Sequence, residues 1–146
     1  YELIKSDLGK IITFDINTSL KLEGDTCSYI QYSCVRAARI LEKFGKEPNF
    51  DTQFDQLNTE YEINLIKQIG LFEVSVNDAA KNYSPKIIAK YCYDLAVKFS
   101  SFYEHVKVLK AETPELVNAR LCLVLSFKLT LEKALDLLGI IAPERM

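Results

Sequence analysis

The sequence predicts an all-α fold, an antiparallel bundle of about five helices in a single domain. Apolar residues between positions 116 and 138 recur at steps of three, four and seven, which is the spacing of one helix face. Two segments begin with a hydroxyl residue followed by proline, a pairing typical of helix starts: Ser84-Pro85 and Thr113-Pro114. The 146 residues include only five glycines and four prolines, a composition typical of a globular helical protein.

The first 24 residues are the least helical part of the chain. Residues 11–16 are rich in β-branched and aromatic side chains, and Asn17, Gly24 and Asp25 follow them. We expect a short strand or an extended segment there. Residues 1–24 are therefore predicted to be an extended junction from something upstream, and residues 25–146 to be the helical domain.

The first long helix is predicted to begin within residues 25–28 and to end at Gly45. With successive residues about 100° apart, one side of this helix is apolar. The opposite side groups two aromatic residues with three cations: Tyr29, Tyr32, Arg36, Arg39 and Lys43. Rings stack on unstacked bases and cations hold phosphates, so this side is a candidate RNA-binding surface. The alternative is that the tyrosines pad a neighbouring helix while the cations face solvent.

Three helices are predicted in the middle of the chain. Thr59 and Glu62 have the spacing of a capping box, which marks a helix start, and Gly70 marks its end. The apolar side of that helix is expected to consist of three isoleucines: Ile63, Ile66 and Ile69. A shorter helix is expected over residues 71–81, and a longer one over residues 84–109.

The last helix is predicted from Thr113-Pro114 to Gly139, and it is apolar enough that we expect it at the centre of the bundle. Its buried stripe is predicted to contain Leu116, Leu123, Phe127, Leu131, Leu135 and Leu138. A narrow polar line is left for solvent: Ser126, Thr130, Lys133 and Asp136. Charged residues interrupt the helix too often for a membrane span.

The formal net charge of −2 does not by itself indicate a nucleic-acid-binding protein. Its distribution is uneven, because residues 47–80 hold seven acids and one lysine, whereas residues 81–110 hold six lysines and two acids. Such asymmetry can leave one basic face on an acidic protein. Ordinary solvated helix surfaces are the simpler explanation if charge alone is considered.

The sequence contains little catalytic chemistry. His105 is the only histidine, no Cys or Asp stands near it at metal-ligand spacing, and there is no glycine-rich phosphate loop. We therefore expect no catalytic residue and no metal site in this chain. The four cysteines show no CxxC spacing and are expected to be free, buried thiols: Cys27, Cys34, Cys92 and Cys122.

Segments near both ends of the chain resemble one known family. The run Tyr29-Ile30-Gln31-Tyr32-Ser33-Cys34-Val35-Arg36 resembles the tyrosine-rich helix that follows the catalytic domain of arginyl-tRNA synthetases. The end of the chain, closing with Pro143-Glu144-Arg145-Met146, is similar to the C-terminus of that family. Residues 102–109 resemble its aromatic turn before the last helix. These segments keep the order of the family over almost the whole chain.

The resemblance implies the C-terminal anticodon-binding bundle, called the DALR domain, of a class I enzyme that ligates arginine to tRNA(Arg). ATP and Mg²⁺ would bind the catalytic domain, outside this chain, which alone would be inactive and without a cofactor. The implied partners are tRNA(Arg) and the rest of the parent chain, in a monomeric cytoplasmic protein that binds neither DNA nor membrane. Position by position, the residues implied to contact the anticodon stem-loop are Tyr29, Tyr32, Arg36, Tyr103 and Met146. Helix geometry adds Arg39 and Lys43.

Two other functions stay open at this point. One is a helical protein-interaction module whose tyrosine stripe binds a partner helix. The other is the equivalent bundle of a different synthetase, such as the cysteine enzyme or the β subunit of the glycine enzyme. The salt dependence of the binding affinity distinguishes RNA binding from helix docking. Phosphate contacts release counterions, so affinity for RNA falls steeply as the salt concentration rises.

Overall fold

A computed structural model describes residues 1–7, 9–143 and 145–146, and within that range the chain forms six helices and no strand. They are α1 (Ile16–Ser19), α2 (Cys27–Phe44), α3 (Glu60–Gly70), α4 (Phe72–Lys81), α5 (Pro85–His105) and α6 (Pro114–Leu137). The predicted all-α bundle is confirmed, with five helices longer than a single turn. Glu144, part of the C-terminal run quoted above, lies outside the described residues.

Threonine side chains begin three of the helices, and two of these starts, Thr59 and Thr113, are the ones that the sequence predicts. Thr26 accepts from the backbone N–H of Tyr29 in α2, and Thr113 accepts from that of Leu116 in α6. At α3 the full capping box is present, because Thr59 accepts from the Glu62 N–H while the Glu62 carboxylate accepts from Thr59. Ser84 stands at the start of α5, but its side chain makes no capping hydrogen bond, so Pro85 supplies the local start signal.

Three helices end at a left-handed residue: α2 at Gly45, and α4 and α6 in a reversal where an N–H donates to the carbonyl five positions earlier. After α6, Gly139 has φ +69° and the N–H of Ile140 donates to the Leu135 carbonyl over 3.0 Å. After α4 the same turn is made by Tyr83, with φ +49°, and the N–H of Ser84 donates to the Ala79 carbonyl over 3.0 Å. Glycine adopts such a conformation without strain, whereas tyrosine does not.

Helix α6 packs against α2, α3 and α5, and α5 packs against α2, α3, α4 and α6, so α5 shares the central position that the sequence predicts for α6. The middle of the predicted stripe is fully buried, and the Phe127 ring stacks on that of Phe99 from α5 at 3.9 Å and 5°. Leu116 and Leu138, at the ends of the stripe, are only partly buried. The solvent-facing strip is wider than predicted, since Leu129 and Leu137 are half exposed beside the polar line.

The order of contacts gives the direction of each packed pair. Two contacts show that α5 and α6 are antiparallel: Phe99 with Phe127, and Lys107 with Arg120. Two more show the same for α3 and α5: Tyr61 with His105, and Ile69 with Tyr91. The pair α2 and α5, in contrast, runs in the same direction, as two further contacts show: Tyr29 with Tyr93, and Arg36 with Ser100.

The predicted apolar side of α3 is wrong. Ile63 and Ile66 are exposed, and the residues fully buried on this helix are Leu65 and Glu62. Ile69 packs against the core only in part. The inward residues Glu62, Leu65 and Ile69 are three and four positions apart, so they still follow helix spacing. They include a carboxylate, Glu62, that the sequence pattern indicates only as a capping residue.

Glu62 is buried because it meets a cation from α6. Its Oε1 accepts from Arg120 Nε over 2.7 Å, and its Oε2 accepts from the Thr59 hydroxyl over 2.7 Å. Burial alone would raise the pKa of this carboxyl, but the hydrogen bonds from Thr59 and Arg120 outweigh it and hold the pKa below its usual range. Arg120 Nη1 also donates to the Lys107 carbonyl, so one side chain joins α6, α3 and the α5–α6 turn.

The junction and the thiols complete the fold. Residues 11–15 form neither helix nor strand, and the next four residues form α1, which the sequence does not predict. All four cysteines are free; Cys34, Cys92 and Cys122 are buried, and burial raises the pKa of Cys34 and Cys92 to about 12. In the described part of the chain, no helix is long and apolar enough to cross a membrane.

Leu131→Ala is expected to destabilise the protein by roughly 2–5 kcal/mol, because Leu131 is fully buried in α6 and its truncation leaves a cavity. Leu129→Ala, the same change on the same helix at a 54% exposed position, is expected to cost less than about 0.5 kcal/mol, as is Lys133→Ala. Urea unfolding of the three variants measures this. Equal losses for Leu131→Ala and Leu129→Ala would contradict the packing.

Arg120→Ala is expected to cost about 3–5 kcal/mol near neutral pH, because it leaves the buried Glu62 carboxylate without its partner. Since the pKa of Glu62 is depressed in the fold, the pair stabilises the protein above the ordinary pKa of about 4.3 and loses its effect as pH falls through the folded pKa. The cost of Arg120→Ala should therefore shrink on acidification. Urea unfolding at several pH values measures it, with Lys133→Ala as the exposed-pair control, and a pH-independent cost would refute it.

Candidate RNA-binding surface

The candidate surface is built on the side of α2 that faces away from the core. Ile30, Cys34 and Ala37 are buried and fix the rotation of the helix. The opposite arc then contains the predicted residues, of which Tyr32 and Arg36 are half-buried, while Arg39 and Lys43 are exposed. The structure thus contains a side of α2 that groups cations with an aromatic residue, as the sequence predicts.

Arg36 is held between two tyrosine rings. Its guanidinium carbon lies 3.8 Å from the ring centroid of Tyr103 on α5 and 5.5 Å from that of Tyr32 on α2. Its Nη1 donates to the Ser100 hydroxyl over 3.2 Å. Cation–π contact and this hydrogen bond fix the plane of the guanidinium. The parallel packing of α2 and α5 thus brings together three residues predicted from distant parts of the sequence.

The C-terminal tail forms the second border of the surface. Gly139 turns the chain after α6, and the tail then runs beside α2, where Gln31 Nε2 donates to the Ile141 carbonyl over 2.7 Å. One end of the tail is held by Arg39, whose Nη2 donates to the Met146 carbonyl over 3.2 Å. The Met146 side chain is half exposed. The predicted Met146 is therefore placed at the same helix as Tyr32 and Arg36.

Around α2, the predicted residues point in graded directions. Taking about 100° per residue, Arg39 points toward the tail, Arg36 and Tyr29 point toward α5, and Tyr32 and Lys43 lie between them. Lys43 and Tyr103 also line a shallow depression of about 180 Å³. We call the surface formed by these residues the α2 trough: Tyr32, Arg36, Arg39, Lys43, Tyr103 and Met146.

Tyr29 is the predicted residue that the structure sets apart. It is partly buried against the core, and its ring lies 6.0 Å from that of Tyr93 on α5 at a tilt of 55°. For this tyrosine the alternative, padding a neighbouring helix, describes the contacts seen. Tyr29 therefore lies outside the α2 trough.

Three residues that support the α2 trough were not predicted as site residues. Ser100 holds Arg36, Glu104 accepts from the Ser100 hydroxyl over 3.5 Å, and Gln31 holds the tail. Ser100 and Glu104 are four residues apart on α5, which also carries Tyr103, so helix spacing places them on the same side of α5 as Tyr103. Gln31 lies inside the quoted Tyr-x-Gln-Tyr run, but the sequence alone assigned it no role.

The α2 trough offers the groups that single-stranded nucleic acid requires. Tyr103, which is 43% exposed, the half-buried Tyr32 and the polarizable Met146 are residues on which unstacked bases can rest. Arg36, Arg39 and Lys43 supply cations along its length, with Glu104 as a nearby carboxylate. The guanidinium of Arg36 presents several N–H donors in one plane, a geometry that matches phosphate.

The chain is similar to proteins of known family over its whole length. The profile described as "DALR anticodon binding domain" matches residues 30–146. An arginine–tRNA ligase of Methanothrix thermoacetophila is 40% identical over 146 residues, which is 100% of this chain and 26% of that protein. One of Lactobacillus johnsonii is 37% identical over 98% of this chain and 25% of its own length.

Solved structures show the same relation. The arginyl-tRNA synthetase of Thermus thermophilus superposes with a TM-score of 0.90 at 37% identity, over 99% of this chain and 25% of that one. An arginyl-tRNA synthetase of Plasmodium falciparum superposes with a TM-score of 0.80 at 27% identity, over 98% and 25%. The chain thus spans about a quarter of the length of these relatives. It belongs to the family of DALR anticodon-binding domains.

Proposed function

We propose that the α2 trough binds the anticodon stem-loop of tRNA(Arg), as the anticodon-binding domain of a longer arginine–tRNA ligase. The observation that carries this proposal is the position of Arg36 between Tyr32 and Tyr103. Bases that leave the helical stack of an RNA loop rest on flat side chains, and the phosphates between them need cations close by. The α2 trough supplies both within a few ångströms.

The reaction and its cofactors belong, in this proposal, to the rest of the parent protein. Within residues 1–7, 9–143 and 145–146, no group of three or more His, Cys, Asp or Glu residues is placed to hold a metal ion. We assign ATP, Mg²⁺ and the ligation of arginine to the rest of the parent chain, because this chain matches only about a quarter of the length of the arginine–tRNA ligases it resembles. The parent is proposed to act as a monomer in the cytoplasm, with tRNA(Arg) as its partner.

The junction supports a larger parent protein. Between residues 3 and 22, six of the large apolar side chains that the structure describes are more than half exposed: Leu3, Ile11, Phe14, Ile16, Leu20 and Leu22. So many exposed apolar side chains in one short segment are typical of a surface that another part of a protein covers. We propose that residues 1–24 pack against the preceding part of the synthetase.

Comparison of the isolated chain with the full-length parent tests this assignment. Hydrogen exchange in residues 9–24 is expected to be slower in the full-length protein, because burial protects backbone amides. The isolated chain is expected to catalyse no arginine-dependent pyrophosphate exchange, whereas the full-length protein catalyses it. Equal exchange of residues 9–24 in both proteins would contradict the packing, and activity of the isolated chain would contradict the division of roles.

Tyr32→Ala and Tyr103→Ala in the full-length protein are each expected to weaken binding of tRNA(Arg) by roughly five- to a hundredfold, since stacking on one base is worth about 1–3 kcal/mol. Deletion of Met146 should act in the same direction. Arg36→Ala should also reduce the slope of log affinity against log salt by about 0.7–0.9 for each phosphate released. Aminoacylation at low tRNA and equilibrium binding measure these effects.

Tyr83→Ala is the matched control, because Tyr83 is 89% exposed and lies at the other end of α5 from Tyr103. It removes the same side chain and should leave tRNA binding unchanged. If folded Tyr32→Ala, Tyr103→Ala and the Met146 deletion all bound tRNA as tightly as the parent, the α2 trough would not be the RNA surface. Binding that did not respond to salt would favour a protein partner instead.

A further inference from the structure

A second concave surface opens beside the α5–α6 turn, and nothing in the function proposed above uses it. It has a volume of about 560 Å³, and eight polar side chains line it: Gln56, Asn58, Thr59, His105, Lys107, Lys110, Glu112 and Arg120. This volume falls within the range of about 300–1,000 Å³ that is typical of small-ligand sites. We call it the His105 cleft.

The His105 cleft lies next to the α2 trough but on another side of α5. Tyr103 and His105 are two positions apart, which places them about 200° apart around the helix. Val106 lines both the cleft and the depression that holds Lys43 and Tyr103. A flexible RNA loop bound on Tyr103 therefore needs only to pass round the end of α5 to reach the cleft.

One wall of the His105 cleft is aromatic and rigid. The His105 ring stacks on Tyr61 from α3, with centroids 4.2 Å apart and an angle of 7° between the planes. Its Nδ1 is held 2.8 Å from the Ser101 carbonyl, which fixes the ring in its plane. His105 is exposed, so the ring face turned away from Tyr61 is open to a further flat group.

The charges in the His105 cleft favour an anion. Arg120 is offset by the buried Glu62, and its Nη1 fixes the backbone of the turn at Lys107. Lys107 and Lys110 are exposed and outnumber Glu112, the acid among the lining residues in the described part of the chain. The amides of Gln56 and Asn58 add donors and acceptors beside this positive charge.

We propose that the His105 cleft takes one unstacked nucleotide of the bound RNA. Its base stacks on His105, its edge is read by Gln56 and Asn58, and its phosphate lies against Lys107 and Lys110. A flat ring, amide groups and cations are together the chemistry that recognises a splayed-out nucleotide. This inference rests on the proposed function, because it requires an RNA loop on the α2 trough.

Binding of an anticodon stem-loop RNA of tRNA(Arg) to the full-length protein tests the proposal. His105→Ala is expected to weaken binding by roughly five- to a hundredfold, and His105→Phe, which keeps a flat ring, to restore most of the affinity. Lys107→Gln together with Lys110→Gln should reduce the log–log salt slope by about 0.7 for one single-strand phosphate. Lys81→Gln, an exposed lysine at the other end of α5, should change neither quantity.

A scan of abasic nucleotides through the RNA loop identifies the base. At one position, loss of the base should weaken binding to the parent protein but add nothing to the effect of His105→Ala. If every position and His105→Ala contribute independently, no base occupies the cleft and the proposal fails. Failure of His105→Phe to restore affinity, with an unchanged unfolding midpoint, also overturns it.

Two comparisons separate this proposal from the function on which it rests. If Tyr32→Ala weakens RNA binding while all variants in the cleft bind normally, the α2 trough is the RNA surface and the His105 cleft is not part of it. If neither set of variants affects binding, the proposed function itself fails. Binding of free AMP or CMP that depends on His105, without any effect on RNA, would assign the cleft to a free nucleotide and overturn the proposal.

Discussion

The position of α3 in the bundle depends on one buried ion pair, Glu62 with Arg120. A carboxylate without access to water is unfavourable by several kcal/mol unless it is paired and hydrogen-bonded. Glu62 satisfies both conditions, with Arg120 on Oε1 and Thr59 on Oε2. Because Arg120 also holds the Lys107 carbonyl, the pair fixes α3, α6 and the α5–α6 turn relative to one another. The aromatic stack of Tyr61 on His105 and the wall of the His105 cleft follow from that arrangement.

The starts of α2, α3 and α6 and the ends of α2 and α6 were predictable from the sequence because capping is local, whereas α5 ends at His105 and not at the predicted residue 109. Thr26, Thr59 and Thr113 each bond a backbone N–H three positions ahead, and Gly45 and Gly139 each adopt a left-handed conformation. None of these interactions requires a distant residue, so a short stretch of sequence contains all the information. The middle of the buried stripe of α6 was predictable for the same reason, since helix spacing alone places Leu123, Phe127, Leu131 and Leu135 on one face.

The choice of packing partner was not predictable, because it depends on residues far apart in the chain. Counting apolar residues on α3 selects Ile63 and Ile66, but Arg120 attracts Glu62 inward and rotates those isoleucines toward solvent. The relative direction of α2 and α5 has no local signal either. Tyr29 and Tyr32 differ in their surroundings for this reason. Tyr29 packs on Tyr93 and Tyr32 lies beside Arg36, and only the position of α5 decides which tyrosine makes which contact.

The candidate surface was likewise predictable in its local features and not in its packing. Its residue types and their common side of α2 come from periodicity, and the resemblance to synthetases supplied Tyr103 and Met146. Their assembly into one trough requires the parallel α2–α5 pair and the reversal at Gly139, which only the folded chain shows. The sequence did not predict Ser100, Glu104 and Gln31 as site residues. Each of them holds another residue in place, and neither composition nor periodicity indicates such a role.

The fixed plane of Arg36 has a consequence for selectivity. A free arginine on a surface loses as much as about 2 kcal/mol of rotamer entropy when it is ordered. Before it is ordered, it can bind a phosphate that approaches from almost any direction. Arg36 is already ordered by two rings and Ser100, so it has little left to lose and little freedom to adapt. It therefore admits an anion along a narrow range of approach. Under the proposed function, RNA loops of equal charge would then be sorted by shape, because a loop whose backbone curves differently would place its phosphate where the guanidinium cannot turn to meet it.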